Sequence, residues 1–370
     1  MTVATNRNRQ TGRTIWALAL ILGAAALGWA DEALKPPDET MASRVTLQAK
    51  GIRLDEALRI LREQTGNPIT DARAPLDPQA ANPALDLDLK NVPFLEALDE
   101  IARRANVALT RFTGDGSIGI LAGRPPAGEF VAYSGPFRFE LKQFTVRRDY
   151  QAGTATADAV FEASWEPRVR PMLLSLKAEA LEIRDDQGRA VRPRVAAEAT
   201  DVVLRPETPS VEIAANLEAP ERSASKLALV KARADVTMPA DLKTFRFPSL
   251  AAANVERREG EVGATLVTTE VDGHVWRVVV DLNYPAGGPA FESFRQGLFN
   301  NQLWLQAADG SRVKLNGGFS TTGQGDGRLR FEYLFIDVPG KPGDYELVYE
   351  APSRLVVLPL EFEFHDAPLP

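Results

Sequence analysis

The sequence predicts an α+β chain in which a small duplicated β-α-β domain precedes two antiparallel β-sandwich domains. Three observations carry that prediction. A stretch near the N-terminus repeats without gaps forty residues later, each copy passing from strand-like alternation to helical spacing. A Gly/Pro-rich hexapeptide follows the repeat. Beyond it helical periodicity nearly vanishes, and short alternating stretches are separated by turn and proline signals.

The chain opens with MTVATNRNRQTGR, a basic segment, then TIWALALILGAAAL, an apolar one. Gly28-Trp29-Ala30 places small residues where a signal peptidase needs them, so residues 1–30 read as a signal peptide. The alternative is an uncleaved anchor over residues 14–30, at the short edge of the roughly 17–25 residues that cross a bilayer. Either reading exports the rest of the chain to the periplasm or beyond, with membrane contact only through this segment. Removing residues 1–30 leaves 40 basic and 50 acidic groups, a net charge of −10. Such a surface repels phosphate backbones, so nucleic acid is not expected as a partner. The chain has no cysteine. That excludes disulfides, thiol nucleophiles, Cys-ligated zinc and a lipid anchor on cysteine, and stability rests on core packing.

Residues 31–44 contain Pro36-Pro37 and read as a flexible lead-in. The repeat occupies residues 45–122. In its second copy Leu85, Leu87 and Leu89 alternate with Asp86, Asp88 and Lys90, the pattern of a strand with one apolar face. Phe94, Ala97, Leu98, Ile101, Ala102 and Ala105 then fall on one helical stripe, matched in the first copy by Leu54, Ala57, Leu58 and Leu61. Glu56 and Glu96 sit at the positive end of each helix dipole. Gly66 and Asn106 suit a left-handed C-cap. Off the apolar stripes the helices carry Arg59, Arg62, Glu63, Asp99, Arg103 and Arg104, the candidate interaction surface.

The stretches VTLQAKGIRLDEALRILREQTGNPIT and LDLDLKNVPFLEALDEIARRANVALT resemble the short N-terminal module of secretins and TonB-dependent receptors. The shared features are the strand, the step into E-A-L, the apolar helix, the Gly or Asn stop and the return strand. The resemblance covers residues 45–122 alone. It implies a periplasmic module that contacts other proteins and has no catalytic residues. Nothing downstream resembles a secretin pore or a receptor barrel, so the transport role of those proteins does not carry over.

Residues 123–128 are the linker. Residues 129–247 read as one sandwich and 248–370 as a second, divided where Pro248 to Gly260 loses periodicity. Asp272-Gly273 and Asp309-Gly310 mark hairpins in the second. Phe291 to Phe299 reads as a short helix and Thr322 to Arg328 as a Gly-rich hairpin loop.

No catalytic, cofactor-binding or metal-ligating residues are predicted. The two histidines, His274 and His365, are 91 residues apart and sit in no recognisable catalytic context. Asp185-Asp186 reads as a turn, and Glu361 and Glu363 as the solvent face of a strand. Trp276, Trp304 and Tyr284 form a candidate aromatic platform, weighed against inward packing. The reading is therefore an exported, non-catalytic docking protein of the cell envelope, with another envelope protein as partner. Its recognition surface lies on strand edges and helix faces of residues 45–122. Two alternatives stand beside it: a sandwich protein that binds or acts on polysaccharide, and a structural component that self-associates.

Overall fold

The computed structural model describes residues 40–73, 81–125, 128–195, 199–205, 207–295 and 301–370. Residues 1–39, on which the signal-peptide reading and most of the lead-in fall, lie outside the described residues. Strands account for 59% of the described residues, which include three α-helices, so the fold is β-rich with few helices. No described helix is long and apolar enough to cross a membrane.

The first elements are β1 (Arg44–Arg53), α1 (Leu54–Thr65), β2 (Ile69–Asp71), β3 (Ala84–Pro93), α2 (Phe94–Ala105), β4 (Ala108–Thr110) and β5 (Ile118–Leu121). β1 and β3 form an antiparallel ribbon, while β2, β5 and β4 form a second small sheet. Their core holds Val45, Leu47, Leu85, Leu87 and Leu89 from the ribbon, with the apolar stripes of both helices. Each helix stops on a left-handed residue, Gly66 at φ 70° and Asn106 at φ 52°.

Contacts in this unit recur at an offset of forty. Gln48 faces Asp88 at the ribbon's centre, and Leu47↔Leu89 mirrors Ala49↔Leu87. The Leu54 N–H donates to the Pro83 carbonyl, and the Phe94 N–H to that of Ser43. Gly51 N donates to Asp86 Oδ1, and Asn91 N to Thr46 Oγ1.

The next strands are β6 (Val131–Ser134), β7 (Phe137–Asp149), β8 (Thr154–Trp165), β9 (Leu173–Asp185), β10 (Ala199–Val203), β11 (Ser210–Glu218) and β12 (Lys226–Phe247). After them come β13 (Val255–Glu259), β14 (Val262–Asp272), β15 (Val275–Asn283), α3 (Pro289–Arg295), β16 (Gln302–Ala307), β17 (Arg312–Lys314), β18 (Phe319–Gly325), β19 (Arg328–Ile336) and β20 (Tyr345–Pro368). The sheets run β11-β8-β7-β6, β13-β14-β15-β19-β18 and β10-β9-β12-β20-β16-β17.

The third of these sheets serves two cores. β12 and β20, 22 and 24 residues long, pair along nearly their whole length. Val236 and Met238 of β12 face a core with Leu360, Phe362 and Phe364 of β20. Phe245 and Phe247 face a different core with Leu347, Tyr349 and Ala351. Register shifts between Pro239 and Leu242, opposite Pro352 to Leu355, separate the two regions. The inward residues change from even to odd numbers there, as an inserted residue requires.

The division at 247/248 read from the sequence therefore does not match how the cores are filled. Residues 355–368 return to the core of the first sandwich. The second sandwich takes the end of β12. Pro239 and Pro352 sit at the register shifts, where a missing N–H is tolerated. The Gly-rich stretch at 322–328 also differs from its reading, because β18 continues through Gly325 before turning. α3 covers the first part of the helix read at 291–299, and residues 296–300 lie outside the described residues.

Candidate functional site

α2 turns its polar side toward the first sandwich. Glu96, Asp99 and Arg103 lie one turn apart on that side. Across from them Tyr133 of β6 and Arg138 of β7 are register partners, so their side chains emerge together. Both meet one carboxylate oxygen: Tyr133 Oη donates to Asp99 Oδ2 at 2.7 Å and Arg138 Nε at 2.6 Å. Arg138 Nη1 donates to Glu140 Oε2 at 2.7 Å. Burial works against the Arg138 charge, but Asp99 and Glu140 outweigh it and hold the guanidinium above its usual range. Burial, then the Asp99 charge, pushes the Tyr133 phenol well up.

Beside this cluster a cleft of about 700 Å³ opens between α2, Arg124, Pro125 and Gly128, and β6. Leu89, Leu109 and Val131 contribute apolar wall. Glu96 on one side and Arg124 on the other are exposed, and neither has an ion pair or hydrogen bond among the described residues. The cleft thus has a floor of paired charges, and its lining adds an acid and a base that are unpaired among the described residues.

Deeper in the same seam Arg111 is buried, with Nη1 3.7 Å from Glu162 Oε1. Its Nε and Nη2 find no partner among the described residues. Burial, reinforced by the Arg138 charge, lowers the Arg111 guanidinium. Glu162 also meets Lys142 Nζ at 3.0 Å, and Lys142 reaches Glu212 at 2.7 Å. Burial would raise the Glu162 carboxyl, but Arg111 and Lys142 outweigh it and hold it below the usual range.

A second anchor lies at Glu166, whose side chain is 1% exposed. It accepts from Ser43 N at 2.8 Å, Ser43 Oγ at 2.6 Å, Asn67 Nδ2 at 3.1 Å and Arg168 Nε at 2.6 Å. Arg168 N donates to Asn67 Oδ1 at 3.0 Å, and Arg168 Nη2 to the Met41 carbonyl. The helix-bearing unit is thus clamped to the first sandwich at two places, and the short linker is not its sole attachment.

The six candidate surface residues separate. Arg59 is exposed and bridges Glu56 and Glu63 on its own helix. Arg103 pairs with Glu100. Arg62 Nη1 donates to the Ile69 carbonyl at 3.0 Å, and Arg104 Nη1 to that of Asp86 at 2.5 Å. Those two arginines therefore hold the unit together. Asp99 faces the sandwich rather than solvent. The ribbon edges are also occupied: Gln64 takes both the N–H and the carbonyl of Thr46, and Arg104 takes Asp86. At Thr46 both backbone groups, and at Asp86 the carbonyl, are thus already bonded by side chains of the unit itself.

The aromatic platform does not form. Trp276 and Tyr284 are 3% exposed. Alternation along β15 sends Trp276 inward with Val278, Val280 and Leu282, edge-on to Tyr345. Tyr284 donates to the Pro352 carbonyl at 2.9 Å. Trp304 is half-buried under the Arg312 guanidinium, 4.7 Å from the ring centre. His274 lies on the turn between β14 and β15, and His365 on β20 beside Glu363.

Sequence reasoning missed Tyr133, Arg138, Arg111, Asn67, Glu166 and Arg168. One signal was the Phe-Arg-Phe alternation of β7, which reads as a strand with a wet face. Arg138 is 2% exposed because the helix-bearing unit covers that face.

No protein-family model matches the chain, and no curated protein matches it. Among solved structures, the crystal structure of serine-rich repeat protein Srr2 from Streptococcus agalactiae was found at 8% identity. That match covers 60% of this chain and 93% of the other, with a TM-score of 0.11. A likeness at that level carries no argument about fold or function.

Proposed function

We propose that this chain is an exported, non-catalytic docking protein of the cell envelope, and that its cleft receives an extended segment of another envelope protein. In this reading residues 45–122 are a duplicated β-α-β module of the secretin and TonB-receptor type. The contacts that recur at an offset of forty support the duplication. The observation that carries the docking role is the cleft itself. Its floor charges are already paired, so a guest need not neutralise them, and its rim offers Glu96 and Arg124 on opposite walls. A fitting segment presents a basic side chain to Glu96, an acidic one to Arg124 and an apolar one between them. The two clamps hold the walls in place, which limits the ordering cost of binding.

The test is capture from envelope extract by the full chain and by the E96R/R124E variant, which reverses both rim charges and leaves the buried cluster intact. The reading expects specific envelope proteins on the first and their loss from the second. An identical captured set from both overturns it.

A further inference from the structure

The strand that ends the described chain is held differently from the others. β20 begins in the second sandwich, where residues 345–350 lie between β12 and β16. From Leu355 onward β12 is its sole strand partner among the described residues. That half supplies the first core with Leu360, Phe362, Phe364 and Ala367. Phe362 stacks on Phe139 with ring centres 4.0 Å apart and meets Phe161 edge-on at 5.8 Å. The rest of that core comes from residues 137–238. Between the two halves lie Pro352 and the register shifts opposite Pro239 and Asp241, where Ser353 Oγ bonds Asp241 Oδ2 at 2.7 Å.

We propose that residues 355–368 are an exchangeable strand, and that the groove they fill accepts the same segment from a second copy of this chain. The occupant follows from the seat. The groove is shaped by β12, Phe139 and Phe161 for this apolar set and this register. Freeing the strand opens one backbone ladder and withdraws Leu360, Phe362, Phe364 and Ala367 from the core, contacts that exchange restores, and the bulge at Pro352 is a ready pivot. Reciprocal exchange then closes a two-fold dimer with native contacts in both halves. This inference does not depend on the cleft.

The absence of cysteine makes the test direct. Lys231 and Glu363 are register partners with exposed side chains. Single variants K231C and E363C of the full chain are mixed at native pH without denaturant, incubated over a range of concentrations and then oxidised. The proposal expects a K231C–E363C heterodimer whose yield rises with concentration. It also expects that yield to exceed by tenfold or more that of a control mixture, R147C with T156C, which are partners across β7 and β8. The double variant K231C/E363C on one chain should close internally and confirms the geometry. A heterodimer yield no higher than the control, with the double variant closing normally, overturns the proposal.

Discussion

Replacing Glu166 by alanine removes the acceptor at the centre of the second clamp. Four donor bonds are lost, two from Ser43, one from Asn67 and one from Arg168. Bonds to a charged acceptor are worth about 1.5–3 kcal/mol each, so simple addition gives roughly 6–12 kcal/mol. That sum is too large. Asn67 keeps Ser43 Oγ, Arg168 keeps the Met41 carbonyl, and water can enter the gap. What remains is a largely buried guanidinium without its carboxylate, 19% exposed, a defect that costs about 3–5 kcal/mol. The assay is urea denaturation followed by the fluorescence of the neighbouring, buried Trp165, together with hydrogen exchange over residues 43–73. E166A should lower the unfolding free energy by that amount, seen as a lower urea midpoint, and speed exchange in residues 43–73. Adding R168M removes the stranded charge and should recover about 1–2 kcal/mol. An E166A loss below about 1 kcal/mol with unchanged exchange refutes the clamp, because a bond network with those partners cannot be silent.

Other expectations follow from the same geometry. R111M should leave stability unchanged or raise it by about 1–2 kcal/mol, because it removes a buried charge with two unbonded nitrogens, whereas R138M should cost about 3–5 kcal/mol; chemical denaturation separates the two. Glu162 is held below the usual carboxylate range, so its contribution is fully present above the ordinary glutamate value of 4.5 and is lost as pH falls through the lower folded value. Protection factors across the seam, which correct exchange for its intrinsic pH dependence, should accordingly fall below about pH 4.5, and less so in E162Q. F362A should cost about 3–5 kcal/mol and shift the unfolding reported by Trp165, although Phe139 lies far away in sequence, while F245A should act on Trp276 in the other core; variants retaining one tryptophan each read the two cores separately.

The helices were legible because local chemistry decides them. Their apolar stripes, acidic first turns and Gly66 or Asn106 stops all lie within a dozen or so residues of one another. The strands of the second sandwich that alternate cleanly, such as β15 and β19, were legible for the same reason. β18 was not, since Phe-Ser-Thr-Thr-Gly-Gln-Gly has no apolar period and is a strand only because β19 pairs with it. β12 and β20 were not legible as single long strands, because Pro239 and Pro352 interrupt their alternation. Their continuity comes from pairing partners more than a hundred residues apart. The site was less legible still. Asp99 carried the right chemistry, but its partners Tyr133 and Arg138 lie on strands whose outer face looked solvated. Glu166 stands before Pro167 with no local pattern that marks it as an anchor. Its role appears only when Ser43 and Asn67 reach it across 123 and 99 residues of chain.

The most direct test of the docking account is photo-crosslinking in intact cells from a reactive side chain placed at Arg124 on the cleft rim, beside the same probe at Arg59 on the outer face of α1. The account predicts a discrete adduct with another envelope protein from position 124, lost when E96R is added, and no such adduct from position 59. The same adducts from both positions, or none from position 124, contradict it.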